Sequence, residues 1–362
     1  MIGFDSACDG GRGRPDSARS RPPGPEVRPA RAEEEKVQLP AGGAMTPDHQ
    51  FRLVTRSDFD GLVCAMLLKE LRMVSDILFV HPKDVQDGAV DIGPHDILTN
   101  LPYDARAHLV FDHHASEIAR NGIPAANHII VPDAPSAARV VFEYYGGADR
   151  FHSVPADLMR AVDQADSARY SRDDILEPQG WTLLNFVMDS RTGLGRFRHF
   201  RVSNYQLMMD LIDICGQLPA DEVLALPDVA ERVALYRAQN AVFVEQLHRV
   251  CRAEGRLVVV DLREEETIQP GNRFMVYAMY PQAEVSAHLI PGKQNQNTVI
   301  AVGKSILRRG NKLDIGALML AHGGGGHPNA GTCQLRHEEA DTVLATIAQA
   351  VNAASIAANA DA

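Results

Sequence analysis

The sequence predicts an α/β protein with a parallel sheet in its N-terminal half and a smaller α/β unit nearer the C-terminus. From residue 51 onward, short apolar runs of strand length alternate with longer segments of helical character. A mainly helical stretch at 201–254 separates this part from a second alternating series. Such alternation is typical of parallel sheets whose faces are covered by helices.

Changes in composition and pattern divide the 362 residues into five segments. Residues 1–44 are rich in Gly, Pro and Arg without apolar periodicity, which predicts a disordered extension or a chain whose functional start is Met45. The other predicted segments are a first α/β domain at 45–200, a helical connection at 201–254, a second α/β domain at 255–350 and a tail at 351–362.

Five apolar runs predict the strands of the first sheet, at 51–55, 77–80, 97–99, 108–111 and 128–131. A helix is predicted at 61–71, directly after the first of these strands. Ligands of open parallel sheets bind at the carboxyl ends of the strands. We therefore expect the polar residues that follow Thr55, Thr99 and Phe111 to share one site.

The connection is predicted to contain helices at 204–213 and 233–244. The second α/β unit is predicted to have strands at 256–261, 275–280 and 298–302, a helix at 315–322 and a glycine run at 323–326.

The charge and the cysteine pattern limit the function classes. A net charge of -11 disfavours a protein that coats long nucleic acid, but it is compatible with a small anion in a local basic pocket. No stretch is long and apolar enough to predict a membrane span. The five cysteines form neither a metal pair nor a disulfide framework, which predicts a reducing, cytoplasmic setting.

Three short motifs carry chemistry. Asp58 and Asp60 follow the first strand, where two carboxylates one residue apart can reach adjacent metal positions, although a surface turn or helix cap also explains them. The triplet at 112–114 places a carboxylate beside two imidazoles at a strand end, a donor set that suits Mn²⁺, Mg²⁺ or Zn²⁺. The glycine run before His327 lets backbone N–H groups approach an anion.

In this order and spacing, the three motifs resemble those of the DHH phosphoesterase superfamily, and the glycine motif resembles its DHHA1 C-terminal domain. The resemblance covers about residues 50–340. The stretches 98–103 and 162–167 resemble the branch of exopolyphosphatase-related and nanoRNase-like proteins. The resemblance thus assigns 45–200 to a DHH domain and 255–350 to a DHHA1 domain.

The resemblance implies a site for two metal ions, usually Mn²⁺ or else Mg²⁺, at the carboxyl edge of the sheet. Asp58 and Asp60 would each bind one ion, and His113 would be a further ligand. Asp112 would lie at or behind the metal ligands, and His114 would contact the scissile phosphate, so these two residues are the expected catalytic pair.

Another metal ligand is expected in the fourth family motif, either Asp166 or Asp163, with Tyr170 at the spacing of an aromatic residue common there. Two departures from the family pattern concern the second ion. Asn100 stands where an aspartate usually bridges the metals, and residues 55–57 lack the histidine that often precedes the first aspartate pair. A neutral amide bridges two cations poorly, so the second ion is expected to bind weakly.

The C-terminal domain is expected to hold the rest of the substrate through cations, a hydroxyl group and the glycine motif. The candidate residues are Lys304, Ser305, Arg308, Gly324, Gly325, Gly326 and His327.

The predicted function is metal-dependent hydrolysis of a terminal phosphoester or phosphoanhydride in a cleft between the domains. An oligoribonucleotide, a dinucleotide and polyphosphate are all candidate substrates, and a single-stranded oligonucleotide is a candidate partner. The alternative is a nucleotide- or phosphate-binding module with weakened catalysis. Relatives often form homodimers, and the sequence leaves the oligomeric state open.

Overall fold

The structure is a computed structural model that describes residues 50–114, 117–118, 122, 124–192 and 194–360. The predicted extension at 1–44 and the alternative start at Met45 lie outside these residues. Within the described part, none of the helices has the length and apolar character needed to cross a bilayer.

The first sheet has five parallel strands in the order β2-β1-β3-β4-β5. In the pairing register, Thr55 of β1 lies beside Thr99 of β3, which lies beside Phe111 of β4. The three strand ends that the sequence analysis singled out therefore meet at one edge of the sheet. The strands are β1 (Phe51–Thr55), β2 (Val74–Phe79), β3 (Asp96–Thr99), β4 (Leu109–Asp112) and β5 (His128–Ile130).

Helix α1 is the central helix of this half. Every residue from Phe59 to Leu68 is buried, as expected for a helix that is apolar on nearly all sides. It begins where the side chain of Asp58 accepts a hydrogen bond from the backbone N–H of Gly61. The helices of this half are α1 (Phe59–Glu70), α2 (Pro82–Gln86), α3 (Ala137–Tyr144), α4 (Ala156–Asp166), α5 (Arg172–Leu176) and α6 (Gly180–Met188).

The connecting segment is helical up to Val250. Its helices are α7 (Asn204–Ile214), α8 (Ala220–Ala225) and α9 (Pro227–Val250). Residues 251–254, predicted as the end of this connection, instead form the edge strand β6 of the second sheet.

The second sheet has six strands in the order β10-β11-β9-β8-β7-β6, and only the pair β7 and β8 is parallel among them. Its strands are β6 (Cys251–Glu254), β7 (Leu257–Asp261), β8 (Val285–Pro291), β9 (Thr298–Lys304), β10 (Gly325–His327) and β11 (Ala330–Leu335). Its helices are α10 (Met275–Met279), α11 (Ile315–Leu320) and α12 (Ala340–Ala360).

The predicted strand at 275–280 is wrong, because helix α10 occupies this position. Residues 275–278 are all buried, so a short apolar run here has no periodicity that separates a helix from a strand. Four strands of this sheet, β6, β8, β10 and β11, were not predicted, and β8 is the next strand after α10. Helix α12 also continues through residue 350, where the second domain was predicted to end.

The two faces of the second sheet have different neighbours. Leu257 and Val259 belong to an apolar cluster with Leu344 and Ile347 of α12. Val258, which points to the other face, belongs to the larger cluster that also contains α1. The face opposite α12 is therefore turned toward the first half of the molecule.

Arg52 and Asp96 join β1 to β3 at the end of the sheet opposite the candidate site. The guanidinium donates two hydrogen bonds to the carboxylate, at 2.7 Å from Nε and 2.9 Å from a terminal nitrogen. The backbone N–H of Gly93 also donates to Asp96, at 2.7 Å. This arrangement satisfies a carboxylate that is almost completely buried.

Replacement of Arg52 by alanine is expected to lower the free energy of unfolding by about 2 kcal/mol. Loss of one partner of a fully buried pair costs roughly 3–5 kcal/mol, and the cost is smaller here because Arg52 is partly exposed. Arg106→Ala is the matched control, since Arg106 binds Asp104 with the same two-bond geometry on an exposed loop. Urea denaturation of both variants measures the difference, and equal losses would contradict the prediction.

Candidate active site

Asp60 lies in the first turn of α1 and is buried beneath the start of α3. Its two carboxylate oxygens accept hydrogen bonds from the backbone N–H groups of Ala138, at 2.8 Å, and Ala137, at 3.2 Å. Burial, and then the charges of Asp166 and Asp58, raise the pKa of Asp60 well above its usual range. A bound cation would favour the charged carboxylate at this position.

Asp58 has a different environment, although it is only two residues away. One carboxylate oxygen caps α1 by accepting from Gly61 at 3.0 Å, and the other lies 3.1 Å from the guanidinium Nε of Arg56. Asp58 also lines the large cavity of the molecule. Asp58 is therefore a helix cap, and its side chain also has access to the candidate site.

His113 follows β4 and is oriented by contacts on both ring nitrogens. Nδ1 lies 3.0 Å from the carbonyl oxygen of Ala134 and donates to it, while Nε2 lies 2.8 Å from a carboxylate oxygen of Asp166. Burial disfavours the charged ring, but the hydrogen bond and the charge of Asp166 outweigh it and raise the pKa of His113 to about 9. Asp166, at the end of α4, thus faces this imidazole.

The structure separates the two aspartates that the sequence left as alternatives. Asp166 joins Asp60 and His113 in a group whose candidate ligand atoms all lie within 4.8 Å of one another. Asp163, one helical turn earlier, accepts hydrogen bonds from Arg139 at 2.6 Å and from the Ser136 hydroxyl at 2.8 Å. Its carboxylate therefore stabilises the start of α3.

Asp112 and His114 form a second pair beside this group. His114 Nδ1 lies 2.7 Å from one carboxylate oxygen of Asp112, which is buried, whereas 45% of the His114 side chain is exposed. The other oxygen of Asp112 has no hydrogen-bond partner among the described residues. The contact with Asp112 therefore orients the His114 ring, and the ring is accessible from the cavity that it lines.

Asn100 follows β3 at the same edge of the sheet. Its backbone adopts a left-handed conformation with a φ of 55°, which asparagine tolerates better than most residues, and its N–H donates to the Phe111 carbonyl at 3.0 Å. The side chain is buried, and neither amide atom has a hydrogen-bond partner within the described part of the chain. Orphaned buried polar atoms are costly and commonly indicate bound water or an ion.

These observations fit a divalent metal ion. Two carboxylates and one imidazole converge, and at the same edge of the sheet one carboxylate oxygen of Asp112 and the amide oxygen of Asn100 lack hydrogen-bond partners among the described residues. A mixed shell of carboxylate oxygen and imidazole nitrogen is typical of Mn²⁺ and Zn²⁺ sites and is also compatible with Mg²⁺. The residues present therefore suit the metal that the motifs imply.

A cavity of about 810 Å³ extends from this cluster to the second sheet. Its walls include His113, His114 and Asp166 on one side and strands β8 and β9 on the other. Its volume lies within the range of small-molecule sites, and it connects the candidate metal group to the wall formed by β8 and β9.

The predicted substrate-binding residues are not all alike in their placement. Lys304, Ser305, Arg308 and His327 line the cavity, whereas Gly324, Gly325 and Gly326 are not part of its lining. The Ser305 hydroxyl accepts from the backbone N–H groups of residues 307 and 308, and Arg308 donates to Glu284 at 3.2 Å. Lys304 and His327 are thus the more available of the four.

The glycine run has a packing role that its sequence did not reveal. A Cβ atom on Gly324 would lie 2.0 Å from the carbonyl oxygen of Thr332, and one on Gly326 would lie 2.3 Å from that of Ala330. Two of the glycines thus allow the close approach of β10 and β11, which positions His327 at the cavity.

Sequence reasoning missed four residues of the opposite wall, namely Arg273, Tyr277, Ser286 and His288. Tyr277 lies on α10, which was predicted as a strand, and Arg273 precedes this helix. Ser286 and His288 lie on β8, which was not predicted. The signal was present in 285–290, where polar residues alternate with apolar ones as in a strand with two different faces.

Comparisons with known proteins place the chain near one solved structure in particular. No protein-family model matches it, and no curated protein does either. The pGpG-specific phosphodiesterase PggH from Vibrio cholerae shares 54% identity with it at a TM-score of 0.76, and the match covers 84% of this chain and 100% of that one.

Two further structures are distant. An exopolyphosphatase-related protein from Bacteroides fragilis shares 14% identity at a TM-score of 0.47, over 83% of this chain and 92% of its own. RecJ from Thermus thermophilus, in complex with Mn²⁺, shares 15% identity at a TM-score of 0.44, over 83% of this chain and 51% of its own.

The match to the Vibrio enzyme covers all of that enzyme, and more than half of the aligned residues are identical. The resemblance that the three motifs indicate is thereby confirmed, and the chain belongs to the DHH phosphoesterase superfamily.

Proposed function

We propose that this chain is a divalent-metal-dependent phosphodiesterase whose substrate is a short guanine dinucleotide of the pGpG type. The observation that carries the proposal is the 54% identity with a pGpG-specific phosphodiesterase over that enzyme's full length. The buried cluster of Asp60, His113 and Asp166 at one end of a large cavity supports it. Among the substrates that the sequence left open, the dinucleotide is thus favoured over polyphosphate and longer oligoribonucleotides.

Asp60, His113 and Asp166 would hold the first metal ion, as Mn²⁺ or Mg²⁺. Asp58, Asp112 and the Asn100 amide would contribute to a second, weaker ion. When bound, divalent cations supply the Lewis acidity that activates water and offsets the charge of a phosphate undergoing in-line displacement.

His114 is proposed to bind the phosphate that is attacked. Its Nδ1–H donates to the buried Asp112 carboxylate, which fixes the ring plane and leaves Nε2 for a ligand. When Nε2 carries a hydrogen, it can donate to a phosphate oxygen. Asp112 thus acts as a positioning residue through His114.

The second half of the cavity is proposed to hold the remainder of the dinucleotide. Lys304 and His327 offer positively charged or hydrogen-bonding groups for a phosphate that is not cleaved. Arg309 donates to the backbone carbonyl of Ala168 at 2.8 Å, and thereby joins the loop after β9 to the segment that follows Asp166. This contact links the two walls of the cavity.

The alternative of a binding module without catalysis was motivated by Asn100 and by the absent histidine. The close relationship to a phosphodiesterase favours the enzyme, and the two readings differ in turnover. A cytoplasmic location, a homodimer and binding of single-stranded oligonucleotides stay predictions of the sequence.

The test is hydrolysis by the full chain with Mn²⁺, with Mg²⁺ and after chelation, followed by separation of the products. The substrates are pGpG, pApA, a five-residue RNA and inorganic polyphosphate. The proposal expects the highest kcat/KM for pGpG, loss of turnover on chelation and recovery with metal. Turnover of none of the four would leave the binding module, and preference for polyphosphate would overturn the choice of substrate.

Asp166→Asn is expected to lower kcat/KM for pGpG by more than about 100-fold, because even residues that only orient metal ligands contribute about 10–100-fold. Asp163→Asn is the matched variant one turn earlier, where we expect a lower melting temperature and a much smaller loss of activity. Mn²⁺ binding by calorimetry accompanies the kinetics. If both variants lose activity equally while Mn²⁺ affinity is unchanged, the assignment of Asp166 is wrong.

Asn100→Asp is expected to reduce the Mn²⁺ concentration for half-maximal activity by about tenfold, because a carboxylate binds hard cations more strongly than an amide does. Aspartate also tolerates the left-handed backbone at this position. Mn²⁺ titration of pGpG turnover gives the readout, and the number of bound ions can be counted by calorimetry. An unchanged titration curve would show that this side chain does not contact the weaker ion.

A further inference from the structure

The cavity wall formed by β8 carries two polar side chains in a regular strand. Ser286 and His288 line the cavity, while Ala287 and Leu289 belong to the apolar cluster on the opposite face with α12. Successive side chains of a strand point to opposite faces, so the two polar residues lie on one face about 7 Å apart. This wall is distinct from the metal cluster and from Lys304.

A chain of hydrogen bonds fixes the direction of the Ser286 hydroxyl. Tyr277 Oη lies 2.9 Å from the carbonyl oxygen of Gly303 and 2.8 Å from Ser286 Oγ. A carbonyl oxygen can only accept, so the single phenolic hydrogen is directed to Gly303. The contact with Ser286 then requires the serine hydroxyl to donate to Tyr277, and Ser286 Oγ presents only lone pairs to a ligand.

The burial of Tyr277 and His288 maintains this arrangement of donors and acceptors. Burial raises the pKa of Tyr277 to about 12, so its hydroxyl retains the hydrogen that the chain of bonds needs. Burial also lowers the pKa of His288 to about 4, so the ring is neutral at pH 7. The neighbouring strand β9 contributes Ala301 and Gly303 to the same wall, and a Cβ atom on Gly303 would lie 3.5 Å from Tyr277 Oη.

Ser286 and His288 themselves are poor ligands for a phosphate, because phosphate oxygens need donors or cations. Arg273 and Lys304 of the same cavity are better suited to a phosphate. Ser286 cannot donate while Tyr277 engages its hydrogen, and a neutral His288 offers at most one N–H. The wall instead matches an uncharged group that brings its own donors. Guanine has two adjacent donors, N1–H and the exocyclic amino group, whereas N1 of adenine is an acceptor.

We propose that the β8 wall is a guanine-selecting subsite, in which Ser286 Oγ accepts from the N1–H and N2–H₂ edge and Tyr277 is the positioning residue that sets this polarity. His288 covers the same face and uses its one N–H toward an acceptor of the base. The inference rests on the proposed function, since it deepens the choice of guanine dinucleotide as substrate.

Substitution of Tyr277 is predicted to change AMP binding, whereas substitution of Ser286 is predicted to change GMP binding. In Tyr277→Phe the Ser286 hydroxyl is released and can donate to N1 of adenine, so AMP binding should tighten by about tenfold while GMP binding changes little. In Ser286→Ala the acceptor is lost, so GMP binding should weaken by about tenfold while AMP binding stays constant. A merely structural role for either residue would weaken both nucleotides together.

The experiment measures GMP and AMP affinities by calorimetry for the wild type, both variants and Tyr280→Phe, together with turnover of pGpG and pApA. Tyr280 is a control on α10's C-terminal side, outside the cavity lining, and its substitution should change neither affinity. Support is a GMP-to-AMP affinity ratio that falls by about tenfold in each variant, through AMP in one and through GMP in the other.

Equal ratios in all four proteins, or no GMP binding by the wild type, would overturn the subsite. The proposed function fails separately, if the wild type turns over neither dinucleotide. In that case the nucleotide affinities still decide whether the β8 wall selects guanine.

Discussion

A carboxylate in a buried position, Asp60, is the constraint on which the arrangement of the first half depends. It lies in the first turn of the central helix, accepts from two backbone N–H groups at the start of α3, and lies beside Asp166. Two backbone amides offset only part of the cost of burying such a charge. The remaining stabilisation has to come from a proton or from a cation, which is why the cluster around it has the composition of a metal site.

The carboxyl edge of the parallel sheet explains why this cluster forms where it does. Strands β1, β3 and β4 end in register, so residues far apart in sequence, such as Asp60, Asn100 and His113, start from neighbouring positions. The second half of the molecule then supplies the opposite wall, which contains Ser286 and His288 as well as the cations Arg273 and Lys304. In the proposed function, metal binding and base recognition would thus be located on different elements of one cavity.

The sequence predicted the strand ends and the motif residues because both depend on local pattern. It could not separate Asp163 from Asp166, since these residues are one helical turn apart and their surroundings differ through Arg139, a residue on another helix. It missed Ser286 and His288 because a buried helix, α10, was read as the strand that instead follows it. The first failure concerns a tertiary contact, which neither propensity nor spacing contains, whereas the second concerns a local alternation at 285–290 that was not recognised.

Strand β3 has only four residues, and the polar side chains at its start and just beyond its end have different surroundings. Asp96 at its start is satisfied by Arg52 and Gly93, whereas Asn100 just beyond its end has buried amide atoms without partners among the described residues. Natural selection would therefore act on the two positions by separate routes. Variation at Asp96 would change the abundance of folded protein in the cell, and, given the proposed role of Asn100, variation there would change the rate of substrate hydrolysis.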